Sequence, residues 1–291
     1  MNDDECTSVD ISSIESSLYS FFQQLLLVIL LIVLPVIYLI ISRKLTTCVF
    51  EDDLFKQPPQ KEDCPIYFLR LPSLDTGYAY NSCCGKVICS GCIYAVKAMN
   101  GNVDQLCPFC RAPCPSLEEA NKQVNKRMEV GDAQAIYNVG CCYAEGRYGF
   151  PQDMDKALEL WHRAAELSYV SAYFNIGTAY FHGNGVERDE EKAKYYFELG
   201  AIGGDAFARH ILGILEGRAG NIERALKHFM IAAGSGYNNS LKMIQRMYKN
   251  GHATKDDYAN ALRAYQAYLK EIKSDDRDKA AAFGDHCKYY E

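Results

Sequence analysis

The chain has 291 residues, 48% of them hydrophobic, and its 37 acidic against 31 basic residues give a net charge of −6. That length holds more than one domain, and the acidic balance excludes the basic footprint of a nucleic-acid binder. Thirteen cysteines are the exceptional feature: in an oxidising compartment such density means disulfides, in a reducing one metal ligands.

Residues 1–20 form an acidic head carrying Asp3, Asp4, Glu5, Asp10 and Glu15 and no lysine or arginine. Leu25 to Ile41 follows as an apolar run of 17 residues. With the preceding Phe21 and Phe22 the segment predicts a transmembrane helix over 21–42, about 31 Å long. A cleaved signal peptide would need a basic leader and a small-residue cleavage site, and the sequence has neither. Arg43 and Lys44 stand directly after the run with nothing basic before it. The excess of positive charge on that flank predicts a single-pass protein with its N-terminus outside or lumenal and everything after residue 44 cytosolic. A reducing cytosol makes the cysteines thiolate donors rather than disulfide partners.

Residues 45–63 read as a charged linker with Pro58-Pro59, and the cysteine block occupies 64–115. Cys64, Cys83, Cys84, Cys89, Cys92, Cys107 and Cys110 fall within 47 residues. Cys89-x2-Cys92 and Cys107-x2-Cys110 have the spacing that turns two sulfurs toward one zinc ion, and Cys64-x2-Tyr67 is half of a third such pair. A segment of about 50 residues buries too little apolar surface to fold securely alone, and structural zinc supplies the deficit. One or two zinc ions are expected, bound by sulfur, since no histidine precedes His162.

Ser116 can cap a linking helix over 116–131, with Glu118 and Glu119 in its first turn where the helix dipole favours acids. From 132 to 272 the sequence repeats. Lys156-Ala157, Lys192-Ala193, Arg224-Ala225 and Asn260-Ala261 recur at intervals of 36, 32 and 36, each followed at a fixed distance by an aromatic: Trp161, Phe197, Phe229 and Tyr265. Gly140, Gly177 and Gly213 recur in step with them. This period predicts stacked helical hairpins. Glycine costs a helix about 1 kcal/mol relative to alanine, so its recurrence at one position predicts close approach of the partner helix there. The fourth unit has Gln245 at the glycine position and reads as a degenerate cap, and 273–291 reads as a C-terminal tail.

Two resemblances follow from these residues. The repeats, best seen in SAYFNIGTAYFHGNGVERDEEKAKYYFELGAIGGD, resemble the Sel-one-like repeat, a relative of the tetratricopeptide repeat, and imply a right-handed α-solenoid used for protein binding. The segments CPIY, CCGKVICSGC and CPFCR resemble a cysteine-rich RING finger. The expected fold is therefore mainly α: transmembrane helix, small RING-like zinc domain, C-terminal solenoid. The RING cross-brace implies one site from Cys64, Tyr67, Cys89 and Cys92, and a second from Cys83, Cys84, Cys107 and Cys110. Lys86 stands where the usual histidine ligand falls, and Tyr67 stands where cysteine is wanted. A phenol with a pKa near 10 is a weak ligand, which leaves three outcomes at the first site: oxygen as fourth ligand, weaker metal binding, or no metal.

The resemblance further implies docking of a ubiquitin-conjugating enzyme through Ile66, Pro108 and Arg111, a positioning role with no covalent chemistry of its own. The aromatic expected before the last knuckle is missing from NGNVDQL. Tyr180, His182, Tyr195 and Tyr196 are expected on a face of the repeats that binds a protein client. No nucleophile–base pair or phosphate loop appears. Two functions from different classes remain open: a membrane-anchored ubiquitin ligase, and a non-catalytic membrane scaffold whose zinc module is only structural.

Overall fold

A computed structural model describes residues 53–59, 61–73, 76–99 and 106–290. The acidic head and the expected membrane helix over 21–42 lie outside the described residues. Among the described residues no helix is long and apolar enough to cross a membrane.

From Leu54 onward the chain is one compact unit, mainly helical. It opens with a two-stranded hairpin: β1 (Tyr78–Asn81) pairs antiparallel with β2 (Lys86–Cys89), Tyr78 facing Cys89 and Asn81 facing Lys86. Helix α1 (Ser90–Met99) continues directly from β2. Helix α2 (Leu117–Glu129) starts where Ser116 accepts a hydrogen bond from the Glu119 N–H, the cap that the sequence calls for.

Four helical hairpins follow: α3 (Ala133–Glu145) with α4 (Met154–Glu166), α5 (Val170–His182) with α6 (Glu190–Ile202), α7 (Ala206–Arg218) with α8 (Ile222–Gly234), and α9 (Asn238–Lys249) with α10 (Lys255–Ile272). Asp132, Asp153, Asp189 and Asp205 each cap a helix by accepting a backbone N–H three residues on. Each capped end satisfies one of the four donors that a helix start leaves unpaired.

The repeating glycines are explained by the repeating aromatics. A Cβ on Gly140 would stand 2.8 Å from the Trp161 ring, on Gly177 2.8 Å from Phe197, and on Gly213 2.6 Å from Phe229. These distances are inside van der Waals contact, so each hairpin closes only because the glycine lacks a side chain. Trp161, Phe197 and Phe229 are buried, and around them Ile136, Ile176, Leu212 and the paired alanines make the core. In the fourth hairpin Gln245 stands exposed at the glycine position while Tyr265 is still buried. This is how an array presents a polar terminal face.

The segment 273–291, set apart as a tail by its sequence, contains helix α11 (Asp275–Phe283) and a 3-10 turn (Asp285–Cys287). Helix α11 lies against α1 so closely that a Cβ on Gly91 would stand 2.9 Å from Arg277. Tyr289 is buried beyond it, over Gly77.

Candidate functional site

The local fold brings all seven predicted cysteines into two groups. Residues 63–70 and 106–113 form the same knuckle. In the first, the Cys64 N–H donates to the Leu69 carbonyl at 2.8 Å and the Phe68 N–H to the Cys64 carbonyl at 2.8 Å. In the second, the Cys107 N–H donates to Ala112 at 2.7 Å and the Arg111 N–H to Cys107 at 3.0 Å. Bridges Asp63–Arg70 and Leu106–Pro113 close the two loops, and Phe68 and Arg111 both turn at positive φ, 54° and 61°. The equivalence places Tyr67 at the position of Cys110. Cys83 and Cys84 occupy the turn between β1 and β2, held by the Gly85 N–H on the Asn81 carbonyl at 2.7 Å. Cys89 ends β2, and Cys92 lies in the first turn of α1.

Cys64, Cys89 and Cys92 converge in one group, all buried, and Cys83, Cys84, Cys107 and Cys110 in the other. In the first, Sγ of Cys92 lies 3.6 Å from Cys64 and 3.4 Å from Cys89. In the second, Cys84 lies 3.8 Å from Cys107 and Cys83 3.4 Å from Cys110. A disulfide would require about 2.05 Å. Zinc–sulfur bonds of about 2.3 Å at tetrahedral angles put sulfurs roughly 3.8 Å apart, so both groups have the spacing and donor chemistry of a thiolate zinc centre. Cys114 is exposed and belongs to neither.

Crowding sets the thiols against one another. Hydrogen bonds from Cys89 and Cys92 hold Cys64 far below its ordinary range, while the bonds to Cys64 and Cys89 push Cys92 far above. Burial and the bond with Cys110 push Cys83 up, and burial pushes Cys84 up. Against the upward pull of burial, backbone N–H groups of Cys110 and Phe109 hold Cys107 down. Each group thus holds one thiol down and at least one other up, a split that a bound cation would relieve.

Tyr67 does not join the three buried thiols. Its hydroxyl donates to Asp276 Oδ2 of α11 at 2.6 Å, and that bond, with partial burial, pushes the phenol up to about 12. The first group therefore presents three sulfurs, with the fourth corner given over to a tie between knuckle and C-terminal helix.

Such ties run on both sides of the module. On one, Arg127 of α2 donates to the Ser82 carbonyl at 2.5 Å and to the Cys83 carbonyl at 3.1 Å. Tyr80 donates to the α3 cap Asp132 at 2.7 Å. On the other, Arg277 is fully buried and donates to Arg70 O at 2.9 Å and to Ile272 O at 2.6 Å. Arg70 also pairs with Glu271 at 2.5 Å, and the Ser73 N–H donates to Tyr268 Oη at 2.6 Å. These long-range partners leave no signature in local sequence. A cavity of about 590 Å³ lies between the module and the helix-start turns of the repeats, lined in part by Arg70, Tyr78, Ser171, Asp205 and Tyr268.

Of the predicted docking residues, Ile66 and Pro108 are half-buried and Arg111 is exposed. Sequence reasoning passed over Phe68 and Phe109, which are 77% and 43% exposed and sit on the two equivalent knuckles. Their signal was the shared Cys-Pro start of both loops. On the repeats, Tyr180 stacks on Tyr196 at 5.7 Å and 3°, and Tyr195 is exposed.

The Sel1 repeat family model matches residues 133–169 and 170–205, the first two hairpins. Over 80 residues the chain is 35% identical to the E3 ubiquitin-protein ligase GW2 of Oryza sativa subsp. indica and 38% identical to the E3 ubiquitin-protein ligase DA2 of Arabidopsis thaliana, in each case 28% of this chain. The matched region spans 18% of the length of either ligase. Among solved structures, a Sel1 repeat protein from Oxalobacter formigenes superposes with a TM-score of 0.49 and 28% identity, covering 62% of this chain and 71% of that one.

Proposed function

We propose that the chain is a membrane-anchored RING-like zinc protein of ubiquitin-ligase type. Its cysteine module positions a ubiquitin-conjugating enzyme and its repeats hold a protein client. The observation that carries this reading is the interleaving of the two thiol groups. The loop at 64 joins with 89 and 92, and the turn at 83 and 84 joins with 107 and 110, which is the cross-brace order implied by the resemblance. Zinc bound there supplies cross-links that fix the two knuckles. The chain's own residues do the rest. Ile66, Pro108 and Phe109 offer apolar surface, and Arg111 presents a cation beside the second knuckle, able to hydrogen-bond across an enzyme–ubiquitin junction. The limited likeness to plant E3 ligases agrees with this reading. The single membrane span over 21–42, with the module cytosolic, remains part of the proposal on the sequence argument above.

One observation favours the rival, a non-catalytic scaffold with a structural module: the tie of Tyr67 to Asp276 leaves the first group with three sulfurs. Reconstituted autoubiquitination with the detergent-solubilised full chain and a broad panel of conjugating enzymes separates the two. Ubiquitin chains that disappear with Arg111→Ala support the ligase. Bound zinc without ubiquitin chains from any enzyme of the panel leaves the scaffold.

A further inference from the structure

Residues 54 and 55 belong by sequence to the linker, yet they are seated in the repeats. Leu54 is 1% exposed and packs among Ala193, Phe197, Ala201, Ala208 and Leu212 of α6 and α7. Its carbonyl accepts a hydrogen bond from Arg209, whose guanidinium is buried and also donates to the Ala201 carbonyl. Phe55 lies 4.8 Å from the His228 ring, with the Arg224 guanidinium 5.1 Å and the Lys227 ammonium 5.6 Å from its centroid.

This is the anatomy of a peptide site: a main-chain contact that gives affinity and two side-chain pockets that give selectivity. One detail marks the resident segment as an imperfect ligand. Both ring nitrogens of His228 are buried and without a hydrogen-bond partner, so Phe55 satisfies the pocket's shape and not its polarity. Lys227 and Arg224 lie over the Phe55 ring, Arg224 also paired with the buried Glu216 at 3.3 Å, and in sequence three acids, Glu51-Asp52-Asp53, precede Leu54 and Phe55.

We infer that the groove formed by α6, α7 and α8 is a binding site for a short acidic-Leu-Phe peptide in a helical turn, filled in cis by the chain's own Leu54 and Phe55 and entered in exchange by a client segment of the same chemistry. The inference deepens the scaffold half of the proposed function and rests on it alone. Failure of the ubiquitination assay leaves it intact, and failure of the following test leaves the cysteine module intact.

The test is fluorescence anisotropy with a labelled peptide of residues 51–57 and the solubilised full chain. A tethered ligand acts at roughly millimolar effective concentration. The Leu54→Ala/Phe55→Ala chain should therefore bind the peptide about 10–100-fold more tightly than the unaltered chain does. A peptide with both residues changed to alanine should not bind. Adding Lys227→Met to the opened chain should weaken binding about 2–5-fold, the loss of one cation over the ring. An opened chain that keeps its helical signal and cooperative melting but binds no peptide overturns the inference. Hydrogen exchange on the unaltered chain decides the matter if the double variant does not fold. Amides of 54–57 should open locally, faster than those of α6 and α7; exchange only together with those helices overturns the inference equally.

Discussion

Replacing Arg277 by methionine tests whether the C-terminal helix is a structural part of the cysteine module. Arg277 is fully buried, and its guanidinium donates to Arg70 O at 2.9 Å and Ile272 O at 2.6 Å, with a longer reach of 3.4 Å to Leu69 O. Counting only the two short bonds, at about 1.5–3 kcal/mol for a hydrogen bond to a charged group, the loss is roughly 3–6 kcal/mol. Against this, Nε of Arg277 is a buried donor with no partner, and removing it returns about 1–3 kcal/mol. Methionine fills most of the same length, so cavity cost is small. The net is a destabilisation centred at about 2.5 kcal/mol and at most about 5 kcal/mol, and the central value lowers the melting temperature of a domain of this size by roughly 5–10 °C. Circular dichroism at 222 nm measures it, and metal release followed with a chromophoric chelator reports on the knuckle itself. Zinc should leave the Arg277→Met chain faster than the unaltered one, because Arg70 lies three residues from Tyr67 on the same loop. Unchanged melting together with unchanged metal release would refute the reasoning and return residues 273–291 to the status of an appendage.

Gly177→Ala should destabilise by about 1–2 kcal/mol, because crowding of the Phe197 ring at 2.8 Å outweighs the roughly 1 kcal/mol gained by alanine in a helix. Gly217→Ala, whose Cβ would meet only Ala225 at 3.7 Å, should instead stabilise by up to about 1 kcal/mol, and urea midpoints distinguish the two. Burial holds His210 down to about 4 and His228 down to about 3, so the unfolded chain binds protons first. Their contribution is complete above the unfolded pKa near 6.5 and falls with pH below it, by about 1.4 kcal/mol per unit for each histidine. Urea midpoints measured from pH 7 to pH 5 should show this slope, and His228→Leu should remove about half of it. Tyr67→Cys completes a fourth sulfur at the first group while breaking the bond to Asp276. Metal analysis should show tighter zinc binding there, whereas Cys110→Ser should lose zinc from the second group only.

The repeat region was readable because its determinants are local and recur: a cap, a glycine and an aromatic every turn of the pattern. The C-x2-C pairs were equally legible from their spacing, while which pairs share a group was implied only by the RING resemblance. What escaped reading was contact between distant segments. Tyr67 finds Asp276 across more than two hundred positions, and nothing in CPIY announces it. Helix α11, DDRDKAAAF, buries an arginine and two alanines rather than a stripe of large apolar residues, so its sequence reads as a solvated tail. Leu54 and Phe55 sit among acids and prolines, a setting that signals linker, and only the groove between α6 and α8 gives them a place.

The cysteine module is fastened to α2 and α3 at one end of the repeat array and to α10 and α11 at the other. A hairpin stack with loose ends is elastic: it stretches and recoils at little cost, and it frays from its termini inward. Here both termini are clamped through the same small module, so that soft mode is removed. A client must accept the spacing of the hairpins as it finds it, losing little flexibility from the repeat side on binding. The reverse also holds: on the proposed zinc reading, loss of the metal would loosen the module that joins the two ends of the array, turning a local change in sulfur chemistry into a change of compliance along the repeats.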